Sequence, residues 1–327
     1  MGHCGATSRH SPGKQQRTTQ LTDPTLAAGT DFGRMYARTR GGELLVPSIT
    51  TIQGVMESDM SWWAALCAAK GVIEDDRMAQ YYAMPDGQAK KDKKRALIDW
   101  YRLASDRDMN ASAARGDIVH NYAEFYALHV MGRATPQELQ EKLDLAQAAG
   151  LDAYIRSFHA FWDKYRPVPI APEATVWNHT IGYAGTTDLI CSINGVTAVL
   201  DYKTKKKIRD YYGHIKPTTL SAKIVMQLTA AARAEEYWVE GATPAEDEWL
   251  PWPHKPEIGF GLAIGPDDFF LRPFDIWNER SWSTFVSLRS VWDWKREGES
   301  LAGPGIFELE QVRPDIFSGG VQLPQTV

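Results

Sequence analysis

The chain has 327 residues, 43% of them hydrophobic and 24% charged, with a formal net charge of −5. This length and apolar content can bury a sizeable core in one large domain or two small ones, and the acidic balance excludes a global basic field that would advertise nucleic-acid binding. Cys4, Cys67 and Cys191 stand far apart with no CxxC pair, which argues against a zinc knuckle or an iron–sulfur cluster.

Sparse cysteine usage makes a reducing cytoplasm the simplest setting. No apolar run approaches a membrane span and the N-terminus lacks a signal-peptide core, so no membrane partner is expected. Residues 1–30 are rich in Ser, Thr, Gln, Gly and basic residues and read as a flexible tail. A single domain is expected over 31–300, and the Gly- and Pro-bearing stretch 301–327 reads as a loosely ordered C-terminal tail.

Within that domain, 46–165 reads as the mainly helical part. The segment "SDMSWWAALCAAKG" predicts a short helix with a Gly stop, "KKDKKRALIDWYRLASDRD" a longer amphipathic one, and "ASAARGDIVHNYAEFYALHVMG" a third. In "TPQELQEKLDLAQAAG", Thr135 is an N-cap, Pro136 takes the first helical position and Glu138 completes a capping box. The helix "LDAYIRSFHAFWDKY" then runs into "RPVPIAP", which breaks it.

Strands dominate the start of 166–300. "EATVWNHTIGY" reads as a strand leading into a hairpin, giving three antiparallel strands between 173 and 204. "SAKIVMQLTAAARAEEYWVE" returns to helix from Ser221, "IGFGLAIGPDDFFLRPFD" is a second hairpin turning near Pro266-Asp267, and "ERSWSTFVSLRSVWDWKRE" is a closing helix. This order fits an α/β sandwich whose central sheet carries helices on both faces.

The stretch "GTTDLICSINGVTAVLDYKTKKK", residues 185–207, concentrates the chemistry. Asn194-Gly195 is a strong type I′ turn signal, because both central residues need φ > 0. A two-residue turn fixes the register: Ile193 faces Val196, Cys191 faces Ala198 and Asp188 faces Asp201. Lys203 lies two residues past Asp201 and projects from the same side. Opposed like charges destabilise a sheet, and a divalent cation would offset that cost, since hard cations prefer carboxylate oxygens. A solvated hairpin edge that tolerates its charges is the alternative. Lys205, Lys206, Lys207 and Arg209 follow as a local basic run, and Lys90, Lys91, Lys93, Lys94 and Arg95 form another.

Gly185-Thr-Thr-Asp188, twelve residues, then Asp201-Tyr202-Lys203 resembles the core of the PD-(D/E)XK nuclease superfamily, and more narrowly its RecB-type and phage-type exonuclease branch. "GDIVH", Gly116 to His120, resembles the Gly-x-x-x-His helix of that branch, and Gln227 in "KIVMQLTAAARAEEY" its downstream Gln. "VPSITTI", at 46–52, resembles the segment near the start of such domains. Position 231 is Ala where the family often has Tyr, and the four-cysteine cluster of CRISPR adaptation nucleases is missing. The resemblance implies a restriction-endonuclease-like core, a mixed central sheet flanked by helices with a helical N-terminal portion.

The resemblance also implies a site. Asp188 and Asp201 would ligate one or two Mg²⁺ or Mn²⁺ ions together with His120 and the backbone carbonyl of Tyr202. Glu124, one helical turn after His120, and Glu173, at the start of a strand, are further candidates. Lys203 would orient or deprotonate the attacking water or stabilise the developing charge. Gln227 would touch DNA or the Lys203 region, and Lys205, Lys206, Lys207 and Arg209 would bind DNA. Trp62, Trp63, Trp100 and Trp177 are aromatic rings that can stack on bases.

The implied function is metal-dependent hydrolysis of DNA by an exonuclease acting in phage or bacterial recombination, repair or replication. A single-strand annealing or replication protein is a candidate partner. The alternatives are a structure-specific endonuclease on the same core and a catalytically silent DNA-binding module, which would have no need of a repulsive acid pair.

Overall fold

The computed structural model describes residues 25–56, 60–215, 219–221, 223–239 and 244–298. Residues 1–24 and 301–327, where tails are expected, lie outside the described residues. The remainder of the expected N-terminal tail is not loose. Ala27–Thr30 forms strand β1, which pairs antiparallel with β2, Gly33–Ala37, and β2 in turn with β3, Leu44–Pro47. This small sheet is held by long-range packing: Leu26 and Tyr36 bury against Trp177 and Ala184. Trp177 is therefore a core residue and not a surface platform.

Nine helices and seven further strands follow among the described residues. The short helix α1, Ile49–Gln53, is capped by Ser48, whose hydroxyl accepts from the Thr51 N–H at 2.9 Å. The helices α2, Ser61–Glu74, α3, Arg77–Tyr82, and α4, Gln88–Arg102, lead into the long α5, Ala104–Val130. The sequence places the break between the last two near residue 110, whereas the chain turns at Leu103 (φ −89°, ψ 12°). The expected capping box of Thr135 and Glu138 opens α6, Pro136–Ala148, and α7 spans Asp152–Tyr165.

The strand β4, Val168–Asn178, begins inside "RPVPIAP", five residues before the expected strand. Its prolines are accommodated at Pro169 and Pro172, with a register shift between Pro169 and Ala171. The strands β5, Tyr183–Ile193, and β6, Val196–Thr204, form the expected hairpin. Asn194 and Gly195 carry φ of 52° and 81°, the paired positive angles of its turn. The helix α8, Lys223–Ala232, ends before "EYWV", where β-branched and aromatic residues pair as β7, Glu236–Val239, with β8, Glu248–Pro251. The second hairpin, β9, Ile258–Ile264, and β10, Phe269–Phe274, and the closing helix α9, Glu279–Glu297, stand where the sequence puts them.

The seven strands lie in the order β10-β9-β6-β5-β4-β7-β8, all neighbours antiparallel except β6 and β9. The sheet is thus mixed, with helices on both faces. Strand alternation divides the core. Leu189, Cys191, Ala198 and Leu200 pack with Val119 and Ala123 of α5 and Phe158 of α7. Ile190 and Val199 pack instead with Ile224, Leu228 and Ala231 of α8. The residues two beyond these last, Asp188 and Asp201, leave the hairpin at its open end.

Candidate metal centre and adjoining pocket

The hairpin register holds from Ile193↔Val196 to Leu189↔Leu200, and continuing it by one position would align Asp188 with Asp201, just past the last paired residues. Main-chain pairing stops there. The Tyr202 N–H donates to the Asp188 carboxylate instead of to a strand carbonyl. On the other side, β4 pairs Pro172↔Leu189 and Ala174↔Thr187, which leaves Glu173 opposite Asp188. Glu173 has φ of 45°, a left-handed conformation that costs a non-glycine residue about 1–3 kcal/mol and persists where surrounding structure imposes it. Three carboxylates from three adjacent strands therefore occupy one level of the sheet.

The helix α5 adds His120, whose Nδ1 is 3.7 Å from Asp188 Oδ1. One ligand atom each from His120, Glu173 and Asp188 lies within 4.8 Å of the others. Burial, and secondarily Lys203, lowers the His120 pKa to about 4, so the imidazole is neutral near pH 7 with a lone pair available to a cation. The imidazole meets the Tyr202 ring edge-on at 5.7 Å between centroids. Gly116, one turn earlier on α5, has room for a methyl group: an added Cβ would meet only Thr204 Oγ1, at 3.6 Å.

Burial pushes the Glu173 carboxyl well above the usual carboxylate range, and the charges of Asp188, Glu124 and Asp201 push it further. The Asp188 carboxyl is raised by burial, against the pull of Lys203 and the Tyr202 N–H. Asp201, 2% exposed, is likewise raised by burial. Its charge is met by the Lys203 ammonium, 2.7 Å from one oxygen and 2.5 Å from the other. Burial works to lower the Lys203 pKa, but Asp201 and Asp188 outweigh it and the net shift is upward. The repulsion expected between the opposed acids is thus partly relieved by Lys203. Glu124, raised by burial, lies on the same helix as His120 but outside the group of three.

A pocket adjoins this centre on the α8 side. Asp188, Asp201 and Gln227 line it together with Arg34, Ser48, Thr50 and Thr186. The segments "VPSITTI" and "GTTD" meet here because residue 185 is glycine: a Cβ there would stand 2.6 Å from Ile49 Cδ1. Sequence reasoning missed Arg34, Ser48, Thr50 and Thr186 as neighbours of the acids. The hydroxyl-rich composition of the two segments signals Ser48, Thr50 and Thr186, and nothing local signals Arg34, which lies on β2 of the small sheet.

The basic run is partly engaged. Lys206 pairs with Asp108 of α5, and Arg209 with Asp268. Lys205 is half-buried, while Lys207 is exposed. Trp100 lies between the guanidiniums of Arg77 and Arg107, at 4.0 and 3.8 Å from its ring centroid, and Trp62 is exposed.

No family model matches the chain, and no curated protein matches it. A solved structure described as "Crystal structure of SSO0001" aligns at 13% identity over 55% of this chain and 75% of that one, with a TM-score of 0.27. That likeness is too slight to place the fold. Among the described residues, no helix is long and apolar enough to cross a membrane.

Proposed function

We propose that this chain is a Mg²⁺- or Mn²⁺-dependent DNA exonuclease of the PD-(D/E)XK type. The observation that carries the reading is the convergence of His120, Glu173 and Asp188 within 4.8 Å, beside the buried Asp201–Lys203 pair. Carboxylates driven up by burial and mutual repulsion, with a neutral imidazole, suit a divalent cation: each group is more stable with a positive charge between them.

His120, Glu173, Asp188 and Asp201 would hold the ion, with the Tyr202 carbonyl as a further oxygen. When bound, such an ion supplies an acidified water and a positive charge for the phosphate oxygens. The chain's own residues do the rest. The Lys203 ammonium presents positive charge where negative charge develops on the phosphate. Asp201 holds that ammonium in place from a buried position. Gln227, Arg34 and the hydroxyls of Thr50 and Thr186 line a recess able to donate hydrogen bonds to a phosphate group.

The reading favours recombination, repair or replication of phage or bacterial DNA, with DNA as the macromolecular partner. Linear and covalently closed circular DNA, offered to the purified chain with Mn²⁺, test it. Release of nucleotides from the linear form alone is expected. Cleavage of the closed circle would make the protein an endonuclease, and no cleavage of either would overturn the proposal.

A further inference from the structure

Beyond the acid cluster, the loop that leaves β6 displays two aromatic rings for which the fold has no use. Tyr211 and Tyr212 are 90% and 78% exposed, more than any Phe, Trp or other Tyr among the described residues. Their centroids are 5.4 Å apart and their planes cross at 86°, an edge-to-face pair that leaves most of both rings in solvent. A solvated loop tip gains nothing from such side chains, since their apolar faces remain in water.

The loop is not slack. Asp210 Oδ1 accepts from the N–H groups of Tyr212 and His214, both at 2.9 Å. Main-chain bonds close the turn from Asp210 N–H to the His214 carbonyl and from Gly213 N–H to the Asp210 carbonyl, with Gly213 at φ 84°. Arg209 reaches over the turn, donating to the Gly213 carbonyl at 2.7 Å and to Asp268 at 2.8 Å. Asp267 in turn accepts from the N–H groups of Ile208 and Arg209, at 2.9 and 3.0 Å. The two rings are therefore held out from a braced base. That bracing lowers the ordering cost of any contact they make.

Position supplies the partner. Tyr211 follows Lys203 by eight residues, so it stands within about 28 Å of it along an extended chain. Lys205, Lys206 and Lys207 lie between the two, and the Lys206–Asp108 pair ties the start of this loop to α5, the helix that carries His120. With Lys206 and Arg209 engaged by carboxylates, the exposed Lys207 and half-buried Lys205 supply the positive charge beside these rings, and such a combination binds a single strand: cations track phosphates, and rings stack on unpaired bases regardless of sequence. A duplex buries its base faces and offers these rings only its ends.

We infer that Tyr211 and Tyr212 form a stacking platform for the bases of a single-stranded segment that leads to or from the metal centre. This rests on the nuclease reading above and extends it to a strand preference.

The test uses the full chain in chelator, so that nothing is hydrolysed, and follows the anisotropy of a dye-labelled oligodeoxynucleotide. Tyr211→Ala with Tyr212→Ala should weaken single-strand binding about tenfold or more, with a change of less than about twofold on a long duplex of the same sequence. Tyr211→Phe with Tyr212→Phe, which keeps both rings, should stay within about twofold of wild type. An abasic version of the oligonucleotide should bind the wild-type chain as weakly as the intact one binds the alanine pair.

Unchanged affinity of the alanine pair, equal losses on both DNA forms, or a loss in the phenylalanine pair as large as in the alanine pair would overturn the platform. A wild-type chain that degrades DNA while the alanine pair binds normally defeats this inference alone. A wild-type chain that neither binds nor degrades DNA defeats both readings.

Discussion

Glu173→Gln is expected to stabilise the metal-free protein and to abolish most of the stabilisation that Mn²⁺ confers. The substitution keeps the Cβ and the left-handed backbone of residue 173, so the strain at that position cancels in the comparison. What changes is one carboxylate among four. Glu173 is raised by burial and then by Asp188, Glu124 and Asp201, and the flanking pairs Pro172↔Leu189 and Ala174↔Thr187 bring it level with Asp188. Opposed like charges on a sheet cost up to about 1 kcal/mol, which for a domain of this size is a rise of about 2–4 °C in Tm on removal. A cation at a hundred times its Kd stabilises the folded state by about 2.7 kcal/mol, or about 5–10 °C, and most of that gain should vanish in the variant.

The pH dependence has a fixed sign. A carboxyl whose folded pKa is raised contributes stability below its unfolded pKa and loses it as pH rises through the folded one. The advantage of the Gln variant in chelator should therefore grow as pH rises. Calorimetric scans with chelator and with Mn²⁺, at acidic and neutral pH, measure all three quantities. A variant that melts lower than wild type in chelator, or keeps the full Mn²⁺ shift, would refute a metal centre that includes Glu173.

Further consequences concern neighbouring groups. His120→Ala should reduce hydrolysis more with Mg²⁺ than with Mn²⁺, because Mg²⁺ tolerates incomplete coordination less; equal losses in the two metals would remove His120 from the ligand set. Gly185→Ala should cost about 1–3 kcal/mol through overpacking, since its Cβ falls 2.6 Å from Ile49 Cδ1; Ile49→Ala in the same chain should recover part of that loss in urea melts, and strict additivity would contradict the close approach. Charge reversal at Lys205 and Lys207 should flatten the salt dependence of duplex DNA binding by about 0.9 per lost phosphate contact; an unchanged slope would make this run an ordinary solvated strand end.

The parts of the fold legible in the sequence are those set by local chemistry. Asn194-Gly195 dictates a two-residue turn and hence the register that runs to Leu189↔Leu200, one residue short of Asp188 and Asp201. Thr135, Pro136 and Glu138 dictate where α6 begins, and the β9–β10 hairpin follows from its alternation and turn. What stayed hidden depends on distant partners. The strand β1 is too short to announce itself and exists through β2 and the packing of Leu26 and Tyr36 on Trp177. "RPVPIAP" looks like a breaker, but a register shift after Pro169 lets it open a strand.

The same division runs through the site. Asp188, Asp201 and Lys203 are legible from the hairpin register, and His120 from the resemblance of "GDIVH" to a Gly-x-x-x-His helix. Glu173 is a further candidate and no more from the sequence, because nothing local reveals that β4 places it level with Asp188 in a left-handed conformation. The neighbour Arg34 comes from a sheet that the sequence does not disclose, and Ser48 from the helix cap that follows it.

The most direct test of the central claim is the release of acid-soluble nucleotides from linear DNA by the purified chain, with Mn²⁺ and with chelator, beside Asp201→Asn. Release by the wild-type chain with Mn²⁺, none in chelator, and a loss of at least about a hundredfold in the variant with DNA binding retained are expected. Release that persists in chelator, or an Asn variant as active as wild type, would contradict the assignment of the Asp188–Asp201–Lys203 hairpin as a metal-dependent phosphodiesterase centre.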